Sequence, residues 1–234
     1  MSTSVNVDLA EIEKFSKLSQ KWWDLNGMMK SLHAVNPLRL QFILNHTSLA
    51  AKQVLDIGCG CGILTEAIAK SGAHAFGIDL ADKVINIAKH HATANNLEIN
   101  YSLMSAEDLA MKKAATFDVI TCMEVLEHIP HPAKTIIACA QLLKPGGFAF
   151  FSTINRTWKA YIAAIFIAEN ILKLLPKGTH SYKKLLKPTE LETWGLECGL
   201  TKVAITGIKY NPVMKTFALS QSANINYIIC FVKS

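Results

Sequence analysis

The chain predicts a doubly wound α/β fold, a mostly parallel sheet with helices on both faces. Two observations carry that prediction. Short apolar runs alternate with helical patterns from residue 53 onward, and the first run, Val54–Ile57, empties into the alternate glycines Gly58, Gly60 and Gly62. A third observation places a ligand. The next apolar run, Ala75–Asp79, ends in a carboxylate, as a strand tip beside a ribose diol would require.

Each element follows in order. Glu11 to Trp23 carries Ile12, Phe15, Leu18 and Trp22 at spacings of three and four, one apolar stripe of a helix. Pro37 suits the first turn of a second helix through Leu44. Residues 1–50 therefore read as an N-terminal helical cap, and 51–234 as the main domain. Runs at 53–57, 74–79, 99–104, 117–122 and 147–153 read as strands, with 201–206 and 225–232 as the last two, seven in all. The helices between them are 64–71, 83–95 and 134–143, and Lys144-Pro145-Gly146-Gly147 reads as a stop and turn.

The glycine spacing selects the ligand. Dinucleotide sites use G-x-G-x-x-G to aim a helix at a pyrophosphate. Here the spacing is G-x-G-x-G, with Ile63 where the third dinucleotide glycine would stand. Asp56 puts a negative charge two residues before the turn, which opposes a pyrophosphate and suits a cation. S-adenosylmethionine (SAM) carries a sulfonium, an ammonium and a ribose but no phosphate. The expected contacts are the backbone of Gly58 and Gly60 against the methionine moiety and Asp79 on the ribose hydroxyls. An NAD-dependent oxidoreductase is the reading this spacing disfavours.

On these motifs residues 53–153 resemble a class I SAM-dependent methyltransferase, a Rossmann-like fold. The longer pattern resembles the ubiquinone biosynthesis O-methyltransferase family. The matching stretches are 22–27, 33–39, 54–62, 121–129, 144–147, 151–156, 176–180 and 207–212. One departure is Cys61, where the family more often has glycine. The resemblance implies that Ser105, Ala106 and Glu107, after the third strand, cap the adenine, and that Met123 packs against the cofactor; a plain core methionine is the competing reading. It also bears on Arg39, one of only two arginines in the chain. A guanidinium can meet the SAM carboxylate with two parallel hydrogen bonds, against the alternative of a surface or helix-capping arginine.

Glu124, Glu127 and His128 stand just past the fourth strand. Together they could hold Mg²⁺ with the acceptor oxygens, or His128 could act as a direct general base; the competing reading is that the loop only packs. The chemistry needs such a group. A phenol of pKa near 10 is ionised at pH 7 to about one part in a thousand, a deficit of roughly 4 kcal/mol. The resemblance implies an acceptor on a polyprenylated ring: two O-methylations in ubiquinone synthesis, one on a polyprenyl catechol and one on demethylubiquinol. Carbon methylation of a menaquinone precursor and a non-catalytic membrane scaffold are the rivals.

With 234 residues and 50% apolar content, one large core is available. Six cysteines without C-x-x-C spacing, and an N-terminus without a basic segment and apolar run, lead to a cytoplasmic expectation. The net charge of +6 is concentrated. Residues 156–188 hold seven basic residues against Glu169, and the rest of the chain has seventeen of each sign. This basic insertion contains an apolar stretch from Ala160 to Leu175 broken by Glu169 and Lys173, too short to span a bilayer. It fits peripheral contact with anionic lipid on the inner membrane surface, or a lid over the substrate cleft; the resemblance implies partners in a ubiquinone-synthesis complex. Lysines interleaved with aliphatics rather than stacking aromatics argue against nucleic acid.

Overall fold

A computed structural model describes residues 6–162 and 182–234. The apolar helix expected in the insertion lies largely outside these residues. Strands β1 (Gln53–Ile57), β2 (His74–Asp79), β3 (Ile99–Leu103), β4 (Phe117–Met123) and β5 (Leu143–Ile154) pair in parallel. β6 (Leu200–Asn211), β7 (Thr216–Ser220) and β8 (Asn226–Lys233) complete a sheet of order β3-β2-β1-β4-β5-β8-β6-β7, with β8 antiparallel to its neighbours β5 and β6. The order reverses at β1 and β4, so the crevice beyond their carboxyl ends is where a ligand belongs.

Helices α1 (Leu9–Leu18) and α2 (Lys30–Leu44) precede the sheet. Between and after the strands come α3 (Ile63–Lys70), α4 (Asp82–Ala94), α5 (Ala106–Ala110), α6 (Pro132–Leu142) and α7 (Pro188–Glu197). One core layer joins Leu55, Ile120, Phe151 and Phe231 to α6 and α7; the other joins Val54, Val119 and Phe150 to α2 and α3. Phe150, Phe151 and Phe231 are fully buried, each contributing roughly 1.5–3 kcal/mol of transfer free energy. Among the described residues no helix is long and apolar enough to cross a membrane.

Three sequence expectations needed adjustment. The sheet has eight strands rather than seven, because the chain reverses after Asn211. The Asn211 side-chain oxygen accepts from the N–H of Val213 and Met214, and Lys215 takes φ 52° to close the turn. The five-residue β7 is too short to announce itself by alternation. Pro37 lies inside α2 rather than in its first turn. An internal proline costs about 3 kcal/mol, and packing on both sides of it offsets that cost: Leu32 against the Trp22 cluster, Phe42 and Ile43 against the sheet. The expected turn at 144–147 is instead a bulged start to β5, where the register shifts between Phe117 and Val119 and Gly146 takes φ 74°.

Candidate active site

The turn after β1 is built as its glycines demand. Gly58 and Gly62 have φ 66° and 93°, and a Cβ on them would collide with Val125 and with the Tyr101 hydroxyl. The Gly60 N–H donates to Asp79 Oδ2 at 3.1 Å, and the Ala81 N–H to Oδ1 at 2.9 Å. Two bonds fix the carboxylate and leave lone pairs for a diol. Burial raises the Asp79 pKa, and these backbone donors oppose the rise. The Cys61 side chain is buried against Trp22 of the cap, and the Trp23 indole N–H donates to its carbonyl at 3.0 Å.

A cavity of about 270 Å³ opens over this turn. Arg39, Gly58, Gly60, Asp79, Ala106, Glu107, Met123, Glu124 and His128 all line it, under side chains of α1 and α2. Asp56 also lines it, but not as a bare charge. Thr65 and Thr121 hydroxyls donate to its two oxygens at 2.7 Å each, and burial pushes its pKa up to about 6.

On the far wall, Arg39 is buried and its Nη2 lies 3.3 Å from Glu124 Oε1, while its Nε has no partner. Glu124 takes φ 56°, a strained backbone for a non-glycine residue, of order 1–3 kcal/mol. Two bonds to β5 hold it there: its N–H donates to the Ser152 carbonyl at 3.0 Å, and the Ser152 hydroxyl donates to Oε1 at 2.6 Å. His128 Nδ1 lies 3.1 Å from Glu11 Oε2, and Phe15 meets the imidazole ring edge-on. Burial lowers the His128 pKa, but the Glu11 and Glu127 carboxylates more than reverse this and raise it above the ordinary value. Its partner moves the other way: the His128 hydrogen bond holds Glu11 down at about 2.

Glu127 departs from the expected cluster. It is buried and does not line the cavity, one of its oxygens has no partner, and burial with the Glu124 charge pushes its pKa up to about 7. The Mg²⁺ site expected at Glu124, Glu127 and His128 is therefore not assembled. Each side chain is committed elsewhere: to Arg39 and Ser152, to the interior, and to Glu11. Among the described residues no three such groups converge on a metal position.

Two contributors escaped the sequence reading. Glu11 was visible only as a residue on an amphipathic helix, and nothing local links it to His128, 117 positions away. Asn6 carries no motif, yet its amide donates to Glu107 Oε1 (3.0 Å) and Thr135 Oγ1 (3.1 Å), and its oxygen accepts from the His131 N–H (2.8 Å).

SAM fits this cavity on its own features. A turn too tight for side chains approaches the ligand with bare backbone, a carboxylate has free lone pairs, and a buried guanidinium nitrogen lacks a partner. Fold and site together define a class I SAM-dependent methyltransferase. A family profile described as a methyltransferase domain matches residues 31–205. Solved magnesium protoporphyrin IX methyltransferases from Synechocystis share the fold: one with bound SAH has TM-score 0.70 and 18% identity over 97% of this chain and 100% of that one, and one with bound SAM has TM-score 0.68 and 16% identity over 99% and 100%. Curated relatives are far more similar. The ubiquinone biosynthesis O-methyltransferases of Nitrosospira multiformis and Nitrosococcus oceani are each 51% identical, over 97% of this chain and 95% and 96% of theirs. That of Coxiella burnetii is 49% identical over 97% and 96%. The chain belongs to the ubiquinone biosynthesis O-methyltransferase family.

Proposed function

We propose that this chain methylates ring hydroxyls of polyprenyl phenol and catechol intermediates, performing both O-methylations of ubiquinone synthesis. One observation carries the reading: the donor cradle at Gly58–Gly60 and Asp79 shares a single cavity with the His128–Glu11 pair. The relatives' shared name supports an oxygen acceptor over a carbon one.

When bound, SAM supplies an electrophilic methyl group on a sulfonium, which leaves as a neutral thioether. The chain's own residues do the rest. Asp79 would accept from the ribose hydroxyls, Arg39 would meet the carboxylate with its unpartnered Nε, and Ala106, Glu107 and Met123 would line the adenine side. Such alignment is most of what methyl transfer asks of a protein. The remaining demand is the acceptor's proton. With Nδ1–H donating to Glu11, His128 presents Nε2 as the acceptor of that proton, and the Glu11 charge stabilises the imidazolium that forms. Glu124 keeps Arg39 oriented across the cavity.

The cap at 1–50, the insertion at 156–188 and its contact with anionic lipid on a cytoplasmic membrane face belong to the same reading, as does a place in a ubiquinone-synthesis complex. Two features near the insertion support it. Trp158 and Ile162 are exposed, and Lys184 reaches back to Asp8 at 3.1 Å and Glu11 at 3.9 Å, tying the insertion's end to the cap. The test is incubation with methyl-labelled SAM and a panel of polyprenyl phenols, catechols and a menaquinone precursor. Label on ring oxygen of the catechol and of demethylubiquinol is the expected product. Label on carbon, or none, would overturn the reading.

A further inference from the structure

The far edge of the sheet presents a feature the chemistry does not use. β6 runs toward the carboxyl ends of the parallel strands, with Thr206 opposite Ile228 of β8, and Ile154, the last residue of β5, opposite Asn226. The Ile208 N–H donates to the Asn226 side chain at 2.8 Å, so residue 208 is level with the end of β5. β6 and β7 then continue as a two-stranded hairpin. At about 3.3 Å per residue its tip stands roughly 10 Å beyond the sheet, on the side where the cavity opens.

This tip is apolar and held open. Val213 is 89% exposed and Met214 71%. The Asn211 side chain fixes the turn that carries them, and Tyr210 packs on Phe217 across the hairpin with ring centroids 4.9 Å apart. Exposed Lys209 and Lys215 flank them, and neither is in an ion pair among the described residues. The surrounding sequence is one-signed: residues 198–234 contain four lysines and no acidic residue. An apolar point with a tyrosine behind it and unpaired lysines beside it matches the boundary of a bilayer, where acyl chains lie beneath negative headgroups.

We propose that the β6–β7 hairpin tip inserts Val213 and Met214 into an anionic phospholipid surface, with Lys209 and Lys215 on the headgroups. It is a contact separate from the insertion at 156–188. The proposal rests on the lipid-acceptor reading in one respect: the tip projects from the catalytic side, so docking it brings the cavity toward the membrane that holds a polyprenyl tail.

The experiment is flotation of the full chain with vesicles of phosphatidylglycerol and phosphatidylcholine, or of phosphatidylcholine alone. V213S/M214S and K209Q/K215Q are compared with K173Q/K177Q in the insertion. Each hairpin variant is expected to lose about tenfold or more in partitioning to anionic vesicles, with melting temperature and turnover of a short-chain, water-soluble catechol unchanged. Hairpin variants that bind like the parent would overturn the proposal, whatever the insertion variant does. So would equal binding of the parent to neutral vesicles, no binding of the parent at all, or a parent dimer that the tip variants dissolve with vesicle binding unaltered. Failure of the methylation reading is distinct, appearing as absence of product from every acceptor.

Discussion

The two halves of the cavity are built by different means. The donor half, Gly58 to Gly62 with Asp79, is held by backbone: three positive φ angles and two N–H bonds to one carboxylate, all within about two dozen residues of chain. The acceptor half is held by side chains from distant elements. Glu11 reaches His128 and Ser152 pins Glu124 from the neighbouring strand, while Arg39 joins the two halves through its 3.3 Å pair with Glu124. A backbone-built site has few ways to rearrange. A site of paired charges can lose one partner and keep its fold, so the halves should respond differently to substitution.

Replacing His128 with alanine should have the largest effect, about 10²–10⁴-fold on kcat, with SAM affinity nearly intact in a binding titration. Equal losses in both quantities would mean that the acceptor half also shapes the donor half. Asp79→Asn comes next. A charge-assisted bond to the ribose contributes roughly 1.5–3 kcal/mol, so SAM affinity should fall about ten- to a hundredfold while the pH profile keeps its shape.

Glu11→Gln should be smallest in rate, about fivefold at high pH, equivalent to roughly 1 kcal/mol. Its signature is the pH dependence. The Glu11 carboxylate raises the His128 pKa, and only neutral His128 can take a proton. Activity therefore rises as pH passes upward through that raised pKa. Removing the charge lowers it, so the acid limb of kcat/KM should move to lower pH. An unmoved limb would separate Glu11 from the base.

The same division explains what the sequence disclosed. Strand tips and glycine turns are local, and β1, β2 and the Gly58–Asp79 cradle were legible residue by residue. Arg39, Glu124 and His128 were found as residues, but their partners were not, because a charge pair across 117 positions leaves no spacing to read. The metal expectation failed for that reason. Three acidic and imidazole groups within five residues look like one constellation, yet backbone direction sends Glu124 and His128 to the cavity and Glu127 to the interior. The eighth strand was lost to its shortness, and the internal Pro37 to tertiary packing, which overrode what a short segment prefers.

Asn6 has a kinetic consequence. One amide bridges the bases of α5 and α6 and grips the Glu107 carboxylate on the cavity wall. Opening that wall would break these bonds and release the chain's early segment with it. Deuterium uptake at the His131 amide, whose acceptor is Asn6, is expected to rise during turnover if the wall opens to exchange cofactor.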